Sequence, residues 1–346
     1  MAHNGIRSTT RHFTSISFSG AGFLACYHLG VAECLLRHNL LMQEKFIITG
    51  VSGGALVASA LLAGVTPTDG LSAALAISET TRQHRFDALQ PGFSLVDEMY
   101  QHFEQLVRDA VTNEELFLQQ VNGTLRIGLT DRRVFPPVGE NPHAYMVVDT
   151  YRSVEDVLAA ALLSSYVPGV TGPMGGTWDT RHSVLPWASR QVHAMMAEGC
   201  VKHGVTGQPI VPHPDVTSRE ICWDGGLVNA FPIVDQQTLM VAPVAVDFPH
   251  HPHTINPAVR QSRCPVRVLR HNQWVSFHLT RENAIRLRQI VMSSDADVLQ
   301  ARFAEGYDDA QHYLEHNNLL SVHGVVTTST LSNDATMETG KGIGLS

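Results

Sequence analysis

The sequence predicts an α/β fold in which a mostly parallel central sheet is flanked by helices on both faces. Short apolar strands alternate with helical segments along the chain, and most of the loops that join them are short, as expected when helices connect parallel strands. The chain is also long enough, because 346 residues with 44% hydrophobic content can build one large domain or two small ones.

The first strand and the first helix lie on either side of a glycine turn. Ile16 and Phe18 alternate as strand residues do, Gly20 and Gly22 interrupt the alternation, and residues 23–36 have helical apolar spacing. Such a turn directs backbone N–H groups towards an anion. "GAGFLA" fits the dinucleotide fingerprint G-x-G-x-x-G/A, so the anion is either a bound pyrophosphate or a transient oxyanion. A purely structural turn is the third alternative.

The second strand and helix enclose a serine. Residues 46–50 predict a short buried strand, and residues 54–64 predict a helix that ends at Gly64. Between them, Gly50-Val51-Ser52-Gly53-Gly54 matches G-x-S-x-G, in which the glycines let a serine occupy a strained, tight turn. The helix dipole also favours negative charge that develops there. Ser52 is therefore a candidate nucleophile, against the alternative of an incidental serine in a glycine-rich turn.

The same patterns predict the remaining elements. Ser153 is the expected N-cap of one helix, with Asp156 at its N3 position. The helices cover residues 69–85, 94–107, 153–165 and 295–317, the last kinked at Gly306, and the strands cover residues 124–131, 143–150, 220–226, 239–247 and 265–270.

A second candidate lies at the end of a predicted strand. Asp224 is followed by Gly225 and Gly226, which let the backbone turn sharply so that the carboxylate faces outward at the edge of the sheet. A serine needs a base to act as a nucleophile, and Asp224 is a candidate for it. An Asp–Gly turn is the structural alternative, and with 19 histidines in the chain a histidine base also stays open.

Composition argues against several classes of protein. A net charge of −8 without a basic tract argues against nucleic acid as a partner. Five cysteines without C-x-x-C spacing predict reduced thiols in a cytosolic protein and argue against zinc. His250, His251 and His253 are close enough in sequence to hold a metal, but no cysteine or carboxylate is spaced to complete a site, which favours a solvated loop.

The predicted domain organisation has one catalytic unit. Residues 1–12 are expected to be disordered, residues 13–322 to form the domain with an irregular insertion at about 172–219, and residues 323–346 to form a flexible tail. The polar first residues predict no secretory signal, and the apolar run at 55–65 is too short to span a bilayer. Any membrane contact is therefore expected to be peripheral.

Taken together and in order, the three motifs resemble those of patatin-like phospholipases, most closely the animal triacylglycerol lipase and adiponutrin branch. "SFSGAGFLACYHLGVAECL", "TGVSGGALVASALL", "LLSSYVPGVTG", "WDGGLVNAFPI" and "GYDDAQHYLEHNNLL" are similar to blocks of that branch. The resemblance implies a three-layer sandwich with a Ser–Asp dyad. It assigns Ser52 as nucleophile, Asp224 as general base, Gly20, Ala21 and Gly22 as oxyanion loop, Gly50, Gly53 and Gly54 as nucleophile turn, and Gly225 and Gly226 as the turn after the base. Ala25 stands where the family pattern has a third glycine.

The resemblance also implies a function. It predicts a lipid acyl hydrolase that cleaves triacylglycerol or phospholipid esters without a metal or other cofactor. The protein would be cytoplasmic, with peripheral contact to membranes or lipid droplets and a protein co-activator as a further partner. A catalytically silent lipid-droplet or partner-binding protein is the main alternative. A nucleotide-binding oxidoreductase is the remote one, because it needs an acidic residue where "FIITG" leads into the serine motif.

Overall fold

The computed structural model describes residues 13–41, 46–133, 142–173, 183–212, 222–249, 251–258, 265–270 and 273–320. The predicted disordered N-terminus and flexible C-terminal tail lie outside these residues, as do His250 and Cys264. The predicted limits of the catalytic domain stay a prediction.

The strands of this part of the chain form a large central sheet and a small second sheet. They are β1 (Ser15–Phe18), β2 (Ile47–Gly50), β3 (Leu125–Asp131), β4 (Tyr145–Val148), β5 (Val201–His203), β6 (Cys222–Asp224), β7 (Thr238–Val241), β8 (Val246–Asp247), β9 (Thr254–Ile255), β10 (Val266–Arg270) and β11 (Gln273–Phe277). The central sheet has the order β5-β4-β3-β2-β1-β7-β9. The five neighbouring strands β3, β2, β1, β7 and β9 pair in parallel. Strands β4 and β5 continue the edge beyond β3 in antiparallel pairing, and β10, β11 and β8 form the small antiparallel sheet.

The helices pack around the central sheet and bury its apolar side chains. They are α1 (Ala25–Arg37), α2 (Gly53–Ala63), α3 (Pro67–Arg82), α4 (Leu95–Ala110), α5 (Glu114–Val121), α6 (Val154–Ser164), α7 (Leu185–Ala197), α8 (Arg281–Val291) and α9 (Ala296–His316). Strands β1 to β3 and helices α1, α2 and α6 supply most of the main core cluster. This arrangement confirms the predicted α/β class with its mostly parallel central sheet.

Strand β3 brings distant parts of the chain together. Gly50, the last residue of β2, pairs with Ile127, and Asp224, the last residue of β6, pairs with Leu129. Strand β4 occupies the other edge of β3 over the same residues, so β2 and β6 share one edge and approach each other end to end. Two residues of β3 correspond to about 7 Å, so both strand ends lie at one place.

The structure confirms the predicted start of one helix and clarifies the role of a glycine in another. Helix α6 begins after Ser153, whose side chain accepts the N–H of Asp156 at 3.4 Å, as the capping pattern predicts. Helix α9 instead runs without a break through Gly306. A Cβ atom there would lie 2.1 Å from the carbonyl oxygen of Tyr27, so Gly306 permits close contact with α1. The kink expected at Gly306 stays a prediction.

Other segments differ from the prediction. The described part of the insertion predicted to be irregular contains helix α7 and strand β5, which joins the central sheet beside β4. Strand β11 and helix α8 were not predicted. Within the part of the chain that the structure describes, no helix combines the length and the apolar character that crossing a membrane requires.

Candidate active site

Ser52 occupies a strained turn between β2 and α2. Its φ and ψ angles are 55° and −136°, a backbone conformation that is rare for residues other than glycine. Its backbone N–H donates to the Ser164 hydroxyl at 2.9 Å, and that hydroxyl donates to the carbonyl oxygen of Gly128 at 2.7 Å. The turn is therefore anchored to both α6 and β3.

The glycines around Ser52 have a steric reason. A Cβ atom at Gly50 would lie 2.4 Å from the carbonyl oxygen of Gly54, and one at Gly54 would lie 2.3 Å from that of Phe18. Both distances are far inside van der Waals contact. Only glycine therefore allows the two ends of the turn to approach each other and β1 this closely.

Asp224 lies next to Ser52 at the end of β6. Its carboxyl group interacts with the Ser52 side chain, which lowers the carboxyl pKa, and its Oδ1 accepts the N–H of Gly226 at 2.7 Å. Thr130 fixes the backbone of Asp224 by donating its hydroxyl to the carbonyl oxygen at 2.7 Å. A Cβ atom at Gly225 would lie 2.2 Å from the Gly128 carbonyl oxygen, so the turn after Asp224 also requires glycine.

Burial changes the acidity of Asp224. The side chain is only 4% exposed, and desolvation raises its pKa to about 7, although the hydrogen bonds from Ser52 and Gly226 act in the opposite direction. An ordinary aspartate is too weak a base to accept a proton from serine at neutral pH. The site therefore holds a carboxylate whose basicity is close to that of histidine.

The glycine loop lies against this pair. A Cβ atom at Gly20 would lie 3.7 Å from Cβ of Ser52, so the loop passes directly beside the serine. The N–H of Gly20 donates to the Ala230 carbonyl oxygen at 3.2 Å, whereas those of Ala21 and Gly22 have no hydrogen-bond partner among the described residues. Gly22 has a φ of +50°, and a Cβ atom there would lie 1.9 Å from the carbonyl oxygen of Ile290. The two unpaired N–H groups are positioned by a loop that only glycine allows.

A cavity of about 350 Å³ connects these groups. Ser52, Asp224 and the loop from Gly20 to Gly22 contribute to its wall. The rest of the lining is mainly apolar and comes from α1, α2, α3, α4 and α8: Leu29, Leu56, Val57, Ala60, Ala73, Ala74, Ile77, Leu95, Met99, Phe103, Leu106, Ile290 and Val291. A cavity of this size and character suits a chain of methylene groups.

Comparison with known proteins supplies the family. The family model described as patatin-like phospholipase matches residues 16–235, which is more than half of the chain and includes Ser52, Asp224 and the glycine loop. The chain belongs to the patatin-like phospholipase family.

Patatin-like relatives match between about half and nearly all of this chain. Human patatin-like phospholipase domain-containing protein 2 is 25% identical over 309 residues, which cover 89% of this chain and 49% of that protein. Mouse 1-acylglycerol-3-phosphate O-acyltransferase Pnpla3 is 23% identical over 334 residues, covering 95% and 66%. Human patatin-like phospholipase domain-containing protein 4 is 29% identical over 160 residues, covering 46% and 58%. The chain spans about half the length of the domain-containing protein 2 relatives.

His28 is a patatin-domain residue that the sequence analysis did not single out. It is fully buried on α1, and its Nε2 lies 3.0 Å from the carbonyl oxygen of Ser19, the residue before Gly20. Since that oxygen is an acceptor, Nε2 carries the proton. Burial lowers the pKa of His28 to about 4, so the imidazole is neutral at pH 7. The ring holds the start of the glycine loop.

Ser164 and Gly128 were also missed. Ser164 lies within the family-like block "LLSSYVPGVTG", but no local pattern indicates its role, because its partners Ser52 and Gly128 are remote in sequence. Ala25, which replaces the third glycine of the fingerprint, is the first residue of α1 and lines the cavity. A Cβ atom at Gly53 would lie 3.4 Å from that of Ala25, an ordinary contact. The alanine is therefore accommodated.

The histidine-rich loop and the cysteines have structural contacts. His251 is buried with its Nε2 on the Thr238 carbonyl oxygen, and His253 contacts the Tyr313 hydroxyl at 3.0 Å. Cys26, Cys34, Cys200 and Cys222 are free and buried. No group of three or more metal-ligating side chains is found in the described ranges.

Proposed function

We propose that this protein is a lipid acyl hydrolase that cleaves glycerolipid esters through a Ser52–Asp224 dyad and an acyl-serine intermediate. One observation carries the proposal: a serine with a strained backbone and a buried carboxylate lie together at the wall of an apolar cavity. Burial raises the pKa of that carboxylate to about 7. Membership of the patatin-like phospholipase family supports the same class of chemistry.

The first half-reaction forms the acyl-serine. Ser52 Oγ attacks the ester carbonyl carbon while its proton passes to the Asp224 carboxylate, which gives a tetrahedral intermediate with a negatively charged oxygen. When this intermediate collapses, the bond to the alcohol oxygen breaks and the alcohol leaves with the proton from Asp224. The acyl group remains on Ser52.

The second half-reaction regenerates the enzyme. A water molecule attacks the acyl carbonyl carbon and gives its proton to Asp224, and a second tetrahedral intermediate forms. Its collapse releases the fatty acid and returns the proton to Ser52 Oγ. No metal or nucleotide takes part in either step.

Backbone N–H groups are proposed to stabilise the oxyanion. The N–H groups of Ala21 and Gly22 are unpaired among the described residues, and that of Gly53, the residue after the nucleophile, starts α2 close by. Gly20 contributes the shape of the loop, because its own N–H already binds Ala230. Removal of one oxyanion donor typically costs ~10²–10³ in kcat.

The substrate is proposed to be a glycerolipid with at least one long acyl chain. The apolar cavity supports a fatty acyl group. The resemblance of the sequence motifs to the triacylglycerol lipase and adiponutrin branch favours neutral glycerolipid over phospholipid. The mouse relative is described as an acyltransferase. The same acyl-serine would support transfer if a lipid hydroxyl replaced water in the second half-reaction. We also propose a cytoplasmic location, peripheral contact with membranes or lipid droplets, and regulation by a protein co-activator.

Substitution of the serine tests the proposal. Ser52→Ala should abolish hydrolysis of emulsified triacylglycerol and of phospholipid vesicles without lowering the melting temperature, because the strained backbone of the turn needs no side chain beyond Cβ. Initial rates of fatty acid release on both substrates measure this. Residual activity within tenfold of the unmodified protein would eliminate Ser52 as the nucleophile.

Covalent labelling separates this function from a catalytically silent protein of the same fold. A fluorophosphonate probe should label Ser52, and Ser165 is the matched control. Ser165 also lines the cavity, but its hydroxyl donates to the Ala161 carbonyl oxygen at 3.1 Å and no base contacts it. Labelling that persists in Ser52→Ala, or no labelling at all, would favour the silent alternative.

A further inference from the structure

Helix α8 buries two polar residues and exposes several apolar ones. Asn283 and Arg286 are buried: the Asn283 side chain bonds both the N–H and the carbonyl oxygen of Ala245 at 2.9 Å, and Arg286 donates to the carbonyl oxygen of Pro243 at 3.1 Å. By contrast, Leu287 is 45% exposed and Val291 is 37% exposed. A surface helix of a globular protein normally has the opposite polarity.

The exposed apolar residues of α8 are continuous with the candidate active site. Leu287 and Val291 are one helical turn apart and therefore on the same side of the helix. Val291 and its neighbour Ile290 also line the cavity that contains Ser52 and Asp224. Val291 thus belongs both to the cavity wall and to the outer surface, so this part of α8 lies at the mouth of the cavity.

A second exposed apolar segment lies beside the end of α8. Phe86 is 53% exposed and Leu89 is 45% exposed. Asp87, between them, accepts the N–H of Ser293 at 2.9 Å and the Ser293 hydroxyl through its carboxylate. Because Ser293 follows Val291 by two residues, these bonds hold the two apolar segments side by side.

Arginines accompany both segments. The Arg85 guanidinium lies 5.4 Å from the centre of the Phe86 ring, and Arg288 is the next residue after Leu287 on the exposed side of α8. Neither guanidinium has an ion pair with a described residue. Two cations without an ion pair beside one apolar surface stand out in a chain with a net charge of −8, and they favour an anionic partner there. We call Phe86, Leu89, Leu287 and Val291, with Arg85 and Arg288, the α8 surface.

We propose that the α8 surface docks on a phospholipid-coated surface, with its apolar side chains among the acyl chains and its arginines at the headgroup phosphates. The inference rests on the proposed function, since it names the partner from which the cavity receives its substrate. An ester drawn from the lipid layer would pass along Val291 into the cavity without crossing water. An apolar patch flanked by cations complements the boundary between acyl chains and phosphates, and a protein partner would not require the patch to open into the cavity.

Vesicle binding tests the α8 surface apart from catalysis. The full chain with Ser52→Ala, which should not consume the lipid, is sedimented with vesicles of phosphatidylcholine containing phosphatidylserine and with vesicles of phosphatidylcholine alone. We expect binding to both, stronger to the anionic vesicles. Phe86→Glu and Leu287→Glu, each made separately because either can fail to fold, should weaken binding at least about tenfold. Arg288→Glu should remove the preference for anionic vesicles.

Leu116→Glu is the matched control. Leu116 is an exposed leucine of α5, a helix that leads into the first residue of β3. Ser52 follows the last residue of β2, which is parallel to β3. Leu116 and Ser52 therefore lie at opposite ends of these strands. Its substitution adds the same charge and should leave vesicle binding intact. Melting temperatures exclude unfolded variants.

The proposal would be overturned if the Ser52→Ala chain did not bind vesicles, or if both α8-surface variants bound them as strongly as that chain does. It would also be overturned if Leu116→Glu weakened vesicle binding as much as the α8-surface variants do. A dimer of the parent that Phe86→Glu dissociates would assign the surface to a second copy of the chain and would also overturn it. Hydrolysis of dissolved p-nitrophenyl butyrate by the unmodified protein, which retains Ser52, is measured in parallel. Its absence would contradict the proposed function, whatever the vesicles show.

Discussion

Asp224 combines the proposed role of general base with fixed contacts to three neighbouring residues. Its Oδ1 accepts the Gly226 N–H, its carbonyl oxygen accepts the Thr130 hydroxyl, and its N–H donates to the Tyr166 carbonyl oxygen at 2.8 Å. These contacts hold the carboxyl group in a desolvated position, and desolvation raises its pKa. In the proposed mechanism, burial of Asp224 supplies the basicity that a histidine supplies in many serine hydrolases.

The activity should therefore depend on the ionisation of Asp224. The carboxylate accepts the serine proton only when it is ionised, so kcat/KM should rise with pH and level off above an apparent pKa of about 7. Asp224→Asn should lower kcat ~10²–10⁴-fold or more above pH 7, where the aspartate is ionised, because the amide keeps the shape but cannot take a proton. Rates on a dissolved ester from pH 5 to 9 measure both effects. Near-normal turnover would leave Asp224 as a structural Asp–Gly turn.

The same group should make stability depend on pH. Its folded pKa is about 7 and the ordinary value is 3.8, so the folded protein binds this proton more tightly than the unfolded chain does. Its stabilising contribution is complete below the unfolded value and is lost as pH rises to about 7. Asp224→Asn lacks this titration. The difference in melting temperature between the variant and the unmodified protein should increase from pH 5 to pH 8, and a constant difference would contradict the raised pKa.

His28 should affect catalysis through position and not through proton transfer. Its Nε2–H holds the Ser19 carbonyl oxygen, which itself lies 2.5 Å from where a Cβ of Gly54 would be, so His28 aligns the glycine loop with the nucleophile turn. Glutamine can place an N–H at nearly the same point, and methionine has similar length without a donor. His28→Met should lower kcat at least about tenfold with little change in KM, since a buried carbonyl loses its partner.

His28→Gln is the control for that experiment and should restore most of the lost kcat. If it were instead as inactive as Ser52→Ala while still folded, the imidazole would have to act as a base, and the Ser–Asp dyad would be wrong. The lowered pKa and the absence of a hydrogen-bond partner for Nδ1 among the described residues argue against that result.

At the scale of elements, helix α3 should limit the length of the acyl chain. Gly70, Ala73, Ala74 and Ile77 line the cavity at helical spacing, so small residues make room opposite α1 and α2. Ala74→Phe should lower kcat/KM for palmitoyl relative to butyryl p-nitrophenyl esters at least about tenfold, because the ring would occupy space that only long chains use. Ser72→Phe adds the same ring on the exposed side of α3 and should not change the ratio. An unchanged ratio in Ala74→Phe would place the acyl chain elsewhere.

Elements with ordinary patterns were predictable, and those with unusual ones were not. Helix α6 has apolar residues at helical spacing and a serine cap, and its start was predicted correctly. Helix α8 was not predicted because its buried positions are Asn283 and Arg286, whose hydrogen bonds replace apolar packing. Helix α7 and strand β5 were not predicted because glycine and proline around them suggested an irregular segment. Local pattern cannot show which polar residues tertiary contacts will satisfy.

At the scale of the molecule, the sequence predicted the parts of the candidate site better than their connections. Ser52 and Asp224 were identified from glycines whose steric roles are now explicit. The engagement of the Gly20 N–H by Ala230 was not predictable, because it depends on how the segment after Asp224 returns over the loop. The links through Ser164, Gly128 and His28 likewise join residues that only the folded sheet brings together.

The pairing of β2 and β6 with one edge of β3 has a consequence for divergence. The separation of Ser52 and Asp224 is set by the two-residue offset between Ile127 and Leu129, and not by the length of chain between the two motifs. Insertions and deletions between β4 and β6 therefore leave the dyad spacing intact. A change in the register of β3 would displace the two residues relative to each other, whereas the segment between β4 and β6 can change in length without moving them.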